Sequence, residues 1–261
     1  MSPPVSHANL PGVRLAYRDS GGDGVPVVLL HANTGTSASW QPQFEAFVAA
    51  GYRTIAFDRR GWGQSVPDSQ SGPQPGSVAE DLAALADHLA LPRFHLLGVA
   101  GGGFVALDYA GWRQDTLRSL TVAASTGSFS EGEMQQLTQN LRFEGFLDLP
   151  ESFREIGPSF RATQPQRVAA WAHAQEHAKQ PDAVFQPLRT PNTFAKIAKI
   201  RIPMLAITAS ADLYAPPTLM AHWIRHISHA EVVAIVDAGH SVPMEQPELF
   251  NAAVLKFLDR H

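Results

Sequence analysis

The sequence has no cysteine among its 261 residues. Disulfides, thiolate metal sites and a cysteine nucleophile are therefore excluded. Clustered positive charge is missing as well. The net charge is -4 and the longest Lys/Arg run is the pair Arg59-Arg60, so the basic footprint that nucleic acid requires is absent. No apolar run approaches the length of a membrane span, and the opening residues MSPPVSHANL lack the basic and apolar regions of a secretory leader. We therefore expect a cytoplasmic chain that binds neither nucleic acid nor membrane.

What is present is an ordinary globular balance, 44% hydrophobic and 17% charged, in a chain long enough to bury about three quarters of its unfolded surface. Short β-rich apolar runs recur at Val25 to Leu30, Tyr52 to Phe57, Arg93 to Leu97, Leu120 to Ala123, Met204 to Ile207 and Val232 to Val236. They alternate with helical periodicity, the pattern of parallel strands joined by crossover helices. Ser77-Val78-Ala79-Glu80 reads as a capping box opening a helix with Val78, Leu82, Leu85 and Leu89 on its apolar face. Leu249, Phe250, Val254 and Phe257 predict a last helix packed on the sheet.

The alternation stops between about Ser125 and Thr190, where Phe143, Phe146, Phe153, Phe160 and Trp171 stand among prolines and charges. We expect a helical cap over 126–189, inserted into a core made of 1–125 and 190–261 and lying over the carboxyl ends of the strands, where open α/β sheets bind ligands.

One turn carries chemistry. In Gly98-Val99-Ala100-Gly101-Gly102, between a strand and a helix, glycines two before and two after a central residue permit a sharp, strained strand-to-helix turn. Gly-rich turns also bind phosphate, but a dinucleotide reading fails because this turn follows an internal strand. Here the chain resembles the α/β-hydrolase family, whose motif is G-x-S-x-G; Ala100 stands where that family has serine. The turn His31-Ala32-Asn33-Thr34-Gly35 is similar to the family's oxyanion-hole turn, and Asp58-Arg59-Arg60-Gly61-Trp62-Gly63-Gln64-Ser65 to its D-x-R-G-x-G-x-S loop. Asp212 and His240 follow the late apolar runs in the family's order.

The resemblance implies an α/β-hydrolase fold, a mostly parallel sheet flanked by helices. It also implies a site with Ala100 at the nucleophile position, His240 as base, Asp212 orienting it, and the amides of Asn33 and Gly101 as oxyanion donors. His31, Trp40, Phe143, Phe146 and Trp171 are candidate substrate contacts. The resemblance is closest to carboxylesterases and enol-lactonases, so the expected partner is a small ester or lactone, with no cofactor and no metal; a homodimeric assembly stays open. With a methyl at position 100 little turnover is expected. Three accounts fit the alanine: a deliberate serine-to-alanine substitution, natural loss of the nucleophile, or chemistry using only the His-Asp pair. The first is favoured, because decay should also have eroded Asp212, His240 or the elbow glycines. A dyad reaction, such as cofactor-independent dioxygenation or C-C bond hydrolysis, and a non-catalytic binding role are the alternatives.

Other groups compete for attention. His173-Ala174-Gln175-Glu176-His177 fits a zinc-peptidase pattern but lacks an evident third ligand. His222, His226 and His229 recur on one helical face, which we read as solvated or half-buried. Asp237 is a rival acid to Asp212, and Arg142, Arg154 or Arg161 could clamp a substrate carboxylate.

Overall fold

In the computed structural model, which describes residues 3–261 and leaves Met1 and Ser2 outside it, each of the six apolar runs overlaps a strand, four of the strands extending past the expected bounds. The strands are β1 (Ser6–Leu10), β2 (Val13–Asp19), β3 (Pro26–Leu30), β4 (Arg53–Phe57), β5 (Val66–Pro67), β6 (Phe94–Val99), β7 (Leu117–Ala123), β8 (Met204–Ala209) and β9 (Glu231–Ile235). They form one sheet in the order β1-β2-β4-β3-β6-β7-β8-β9, with β5 paired to β2. From β4 to β9 all pairings are parallel, whereas β1, β2 and β5 pair antiparallel. This is the α/β-hydrolase fold class expected.

The parallel strands read as continuous apolar runs because both faces are covered. Their side chains alternate between two cores. Val28, Leu30, Leu96, Leu120 and Met204 join the core beneath the helices Val78–His88 and Gly101–Arg113. Val27, Leu29, Leu97, Leu205 and Ile207 join the core beneath Gln41–Ala49 and Pro247–Leu258. The Ser77 hydroxyl caps its helix by accepting the Glu80 amide at 3.2 Å, and Val78, Leu82 and Leu85 are buried. In the last helix Phe250, Val254 and Phe257 are buried but Leu249 faces solvent. One residue of offset turns a helical side chain by about 100°, enough to carry Leu249 off the apolar face.

The chain leaves β3 toward β4 on one side and β6 toward β7 on the other. The crevice at the carboxyl ends of β3 and β6 is thus the topological switch point, where sheets of this kind bind ligands. Between β7 and β8 there is no strand of the sheet. Five short α-helices, Gly132–Asn140, Glu151–Glu155, Pro158–Thr163, Pro165–Glu176 and Phe194–Ile197, and the 3-10 turn Phe146–Asp148 fill the segment.

Candidate active site

Two turns meet at the switch point. After β6 the backbone bends at Ala100, with φ 51° and ψ -115°, directly into the helix Gly101–Arg113. An alanine held there costs of order 1–3 kcal/mol, and the surroundings impose it. The Ala100 amide donates to the Ala123 carbonyl at 3.0 Å, and the Ala100 carbonyl accepts the Ser125 hydroxyl at 2.8 Å and the Gly103 amide at 3.0 Å. A Cβ on Gly98 would lie 2.3 Å from the Gly102 carbonyl oxygen, and one on Gly102 would lie 2.1 Å from that of Leu30. Only glycine fits at either position.

After β3, the turn from His31 to Thr34 is pinned from below by a buried cation. Arg59 donates to the Asn33 side-chain oxygen at 2.9 Å and to the His31 carbonyl at 3.2 Å. The Asn33 carbonyl takes the Trp62 indole N–H at 2.8 Å. Among the described residues no carboxylate lies within ion-pair range of Arg59, and burial pushes its pKa down to about 10. His31 is also buried and held well below its ordinary pKa by desolvation and by Arg59. Its Nδ1 donates to the Ala32 carbonyl at 2.7 Å and its Nε2 accepts the Arg59 amide at 3.2 Å, so it acts as a neutral strut. Asn33 lies against the start of the elbow helix, since a Cβ on Gly101 would sit 2.3 Å from the Asn33 side-chain oxygen. The amide of Gly101, in the first turn of its helix, has no intrahelical acceptor.

The third element is the pair formed by the loops after β8 and β9. His240 Nδ1 lies 2.8 Å and 3.0 Å from the two Asp212 carboxylate oxygens. Asp212 also accepts the amides of Tyr214 at 2.7 Å and Ala215 at 2.9 Å. With Nδ1 engaged, Nε2 is the free ring nitrogen. Burial works against a charged His240, but Asp212, Glu155 and Glu245 outweigh it and raise its pKa to about 9. Asp237 is exposed, with φ 57°, and takes no part in this pair.

His240 stands between two cavities. One, about 320 Å³, is mainly apolar and lined by Trp40, Val99, Trp171, Ala174, Pro243 and Met244, with His31 and Arg167 on its wall. The other, about 240 Å³, lies over Ala100 and Gly101 and is the more polar of the two, bounded by Asn33, Arg142, Glu151, Glu155 and Tyr214. The structure thus brings Ala100, Asp212, His240, Asn33, Gly101, His31, Trp40 and Trp171 together.

Phe143 and Phe146 are corrected: neither lines these cavities. Phe143 is 63% exposed, and Phe146 is buried edge-on against Tyr214 and Phe143. Phe146 is consumed by packing the helical segment onto the core. Arg154 is used locally, on the Tyr214 hydroxyl and the Leu149 carbonyl, and Arg161 on the carbonyls of Phe153 and Ile156.

Residues 27–253 match the model of the Alpha/beta hydrolase family. The chain belongs to that family. The chain is 29% identical over 255 residues to a protein of Variovorax paradoxus named "Putative carbamate hydrolase RutD", covering 91% of this chain and 93% of that one. Among solved structures it is similar to a thermophilic esterase from Thermogutta terrifontis (TM-score 0.82, 26% identity, 98% of both chains). It also shares its fold with an enol-lactonase from Burkholderia xenovorans LB400 (TM-score 0.78, 22% identity, 97% and 100% covered).

Sequence reasoning missed two groups of this α/β-hydrolase site. Tyr214 sits in the acid's own loop, its ring 5.0 Å from that of His240. Glu155 comes from the segment between β7 and β8, carries no motif, and is only 7% exposed. The spare histidines have separate occupations. His222 faces Glu133 at 3.3 Å, His226 stacks on Phe194, and His229 meets the Ile202 carbonyl at 2.8 Å. His173, Glu176 and His177 are clustered but exposed.

Proposed function

We propose that the chain acts on carboxylic esters or lactones, with Ala100 at the nucleophile position, the Asn33 and Gly101 amides as oxyanion donors, and Asp212-His240 as the proton-handling pair. The observation that carries this reading is the strained elbow at Ala100. An alanine gains nothing from φ 51° and ψ -115°, whereas a serine there would point its hydroxyl into the cavity that His240 borders. The similarity to an esterase supports the substrate class. The segment 126–189 acts as the cap, and its Trp171, with Trp40 from the core, grips the apolar part of the substrate.

The test is Ala100→Ser, assayed beside the parent on a panel of p-nitrophenyl esters and aliphatic lactones. The expected gain in turnover is at least three orders of magnitude, about 4 kcal/mol of transition-state stabilisation. An unchanged rate in a folded protein that still binds panel compounds would instead favour a binding role for the cavity.

A further inference from the structure

The site holds a carboxyl group that the triad logic does not use. Glu155 ends the helix Glu151–Glu155 and is buried, yet among the described residues no Lys or Arg lies within ion-pair distance of it. Among the described residues its carboxylate accepts hydrogen bonds from two hydroxyls, both long, Thr34 at 3.3 Å and Ser241 at 3.4 Å. Its main-chain carbonyl accepts the amides of His240 at 2.7 Å and Ser241 at 3.3 Å, so carboxyl and imidazole are mounted on one hydrogen-bonded unit. It borders the polar cavity together with Ala100, Gly101, Asn33 and His240.

The cation beside it is the titratable His240 ring; a carboxylate taken out of water without a permanent ion pair is costly, and structural need does not account for this one. Its neighbour Glu245 shows the contrast. That side chain accepts the Gly157 and Gly239 amides at 2.8 and 2.9 Å and so ties the cap to the histidine loop. Glu155 ties nothing comparable with its carboxylate, which instead faces the reaction cavity.

We propose that Glu155 is a catalytic base of this site, activating water for direct attack on the substrate carbonyl, with His240 as the acid. The inference rests on the ester or lactone reading above. In the step, a water oxygen bonds to the carbonyl carbon while its proton passes to Glu155 and the carbonyl π pair moves to the oxygen facing the Asn33 and Gly101 amides. On collapse the bond to the leaving oxygen breaks, and that oxygen takes the proton from His240 Nε2. Transfer of the Glu155 proton back to His240 restores the pair. Ala100 contributes only a methyl group, so no acyl-enzyme forms.

The surrounding charges suit this division. His240 faces Asp212, Glu155 and Glu245, with Tyr214, Glu151 and Arg142 on the polar side, Arg154 on the Tyr214 hydroxyl, and His31 and Arg167 on the apolar side. The three carboxylates keep it protonated to about pH 9. Burial raises the Glu155 pKa while His240 pulls it down, leaving a carboxylate that is more basic than one in water.

Three measurements test the assignment. First, NMR titration of the His240 ring in Glu155→Gln, a variant of the same size that keeps an oxygen for Thr34 and Ser241, should show its pKa lowered by at least one unit; an unchanged titration overturns the proposal. Second, on alkyl esters, whose alkoxide leaving group needs a proton, the parent should give a bell-shaped profile that falls near pH 9 as His240 loses its proton. Ala100→Ser, which needs neutral imidazole, should rise with pH and stay high; a parent profile that also stays high overturns the proposal. Third, Glu155→Gln should lower parent turnover at least 100-fold and Ala100→Ser turnover by at least tenfold less, with Glu155→Asp retaining part of the rate. Equal losses in both backgrounds overturn the base role. If Ala100→Ser hydrolyses the panel and the parent does not exceed the buffer rate, the Glu155 assignment falls and the hydrolytic reading stands. Absence of turnover in both ends both.

Discussion

Arg59→Met separates what the buried guanidinium does for stability from what it does for the site. The depression of its pKa from 12.5 to about 10 corresponds to a burial cost of about 3 kcal/mol. Against this stand two hydrogen bonds from a charged donor, to the Asn33 side chain at 2.9 Å and the His31 carbonyl at 3.2 Å, each contributing about 1.5–3 kcal/mol. Methionine removes the cost and the bonds together while keeping most of the packing on the Trp62 ring, which now lies 5.0 Å from the guanidinium carbon. Stability should therefore fall by at most about 3 kcal/mol, as read from urea unfolding. Activity should suffer more. The bonds that disappear are those that hold the turn proposed to supply an oxyanion donor, and loss of alignment by a fraction of an ångström to 1 Å costs about 10- to 100-fold. Measured as kcat in the Ala100→Ser protein, the expected drop is of that size with KM nearly constant. A variant that unfolds readily while keeping full kcat would refute the reasoning, since Arg59 would then be a structural residue alone.

Stability should also depend on pH in a set direction. His240 is raised from 6.5 to about 9 in the folded chain, so its contribution is fully present below pH 6.5 and is lost as pH rises through 9, by up to about 3 kcal/mol. Burial raises Glu155 and Glu245 as well, which acts in the same sense at lower pH; urea midpoints that stay level or rise from pH 6.5 to 9 would contradict this. Trp171→Ala, on the wall of the apolar cavity, should alter the ranking of ester chain lengths in the Ala100→Ser protein, whereas Phe143→Ala, largely exposed, should leave it as it was. An effect of equal size from both would mean that the cavity does not select the substrate.

Much of this molecule was legible in local pattern. Parallel strands covered on both faces must be continuously apolar, so β3, β4, β6, β7 and β8 stood out as runs. The elbow was readable because its backbone tolerates only glycine at Gly98 and Gly102, a steric demand that leaves a trace in one short stretch of chain. Asp212 and His240 were readable because each follows a strand end. The antiparallel strands β1 and β2 were not, since seven of their twelve positions are exposed or half-buried and carry polar residues.

The segment between β7 and β8 has no period that says which aromatic side chain faces inward. Only packing decided that Trp171 borders a cavity while Phe146 is buried against Tyr214 and Phe143 stands in solvent. Tertiary structure alone also put Glu155 beside His240, 85 residues later in the chain, and buried Arg59 with no carboxylate partner among the described residues. Neither charge is a fixed position of a motif, Arg59 being a variable residue of the loop 58–65. A residue's electrostatic surroundings depend on what folds over it, and sequence spacing holds no record of that.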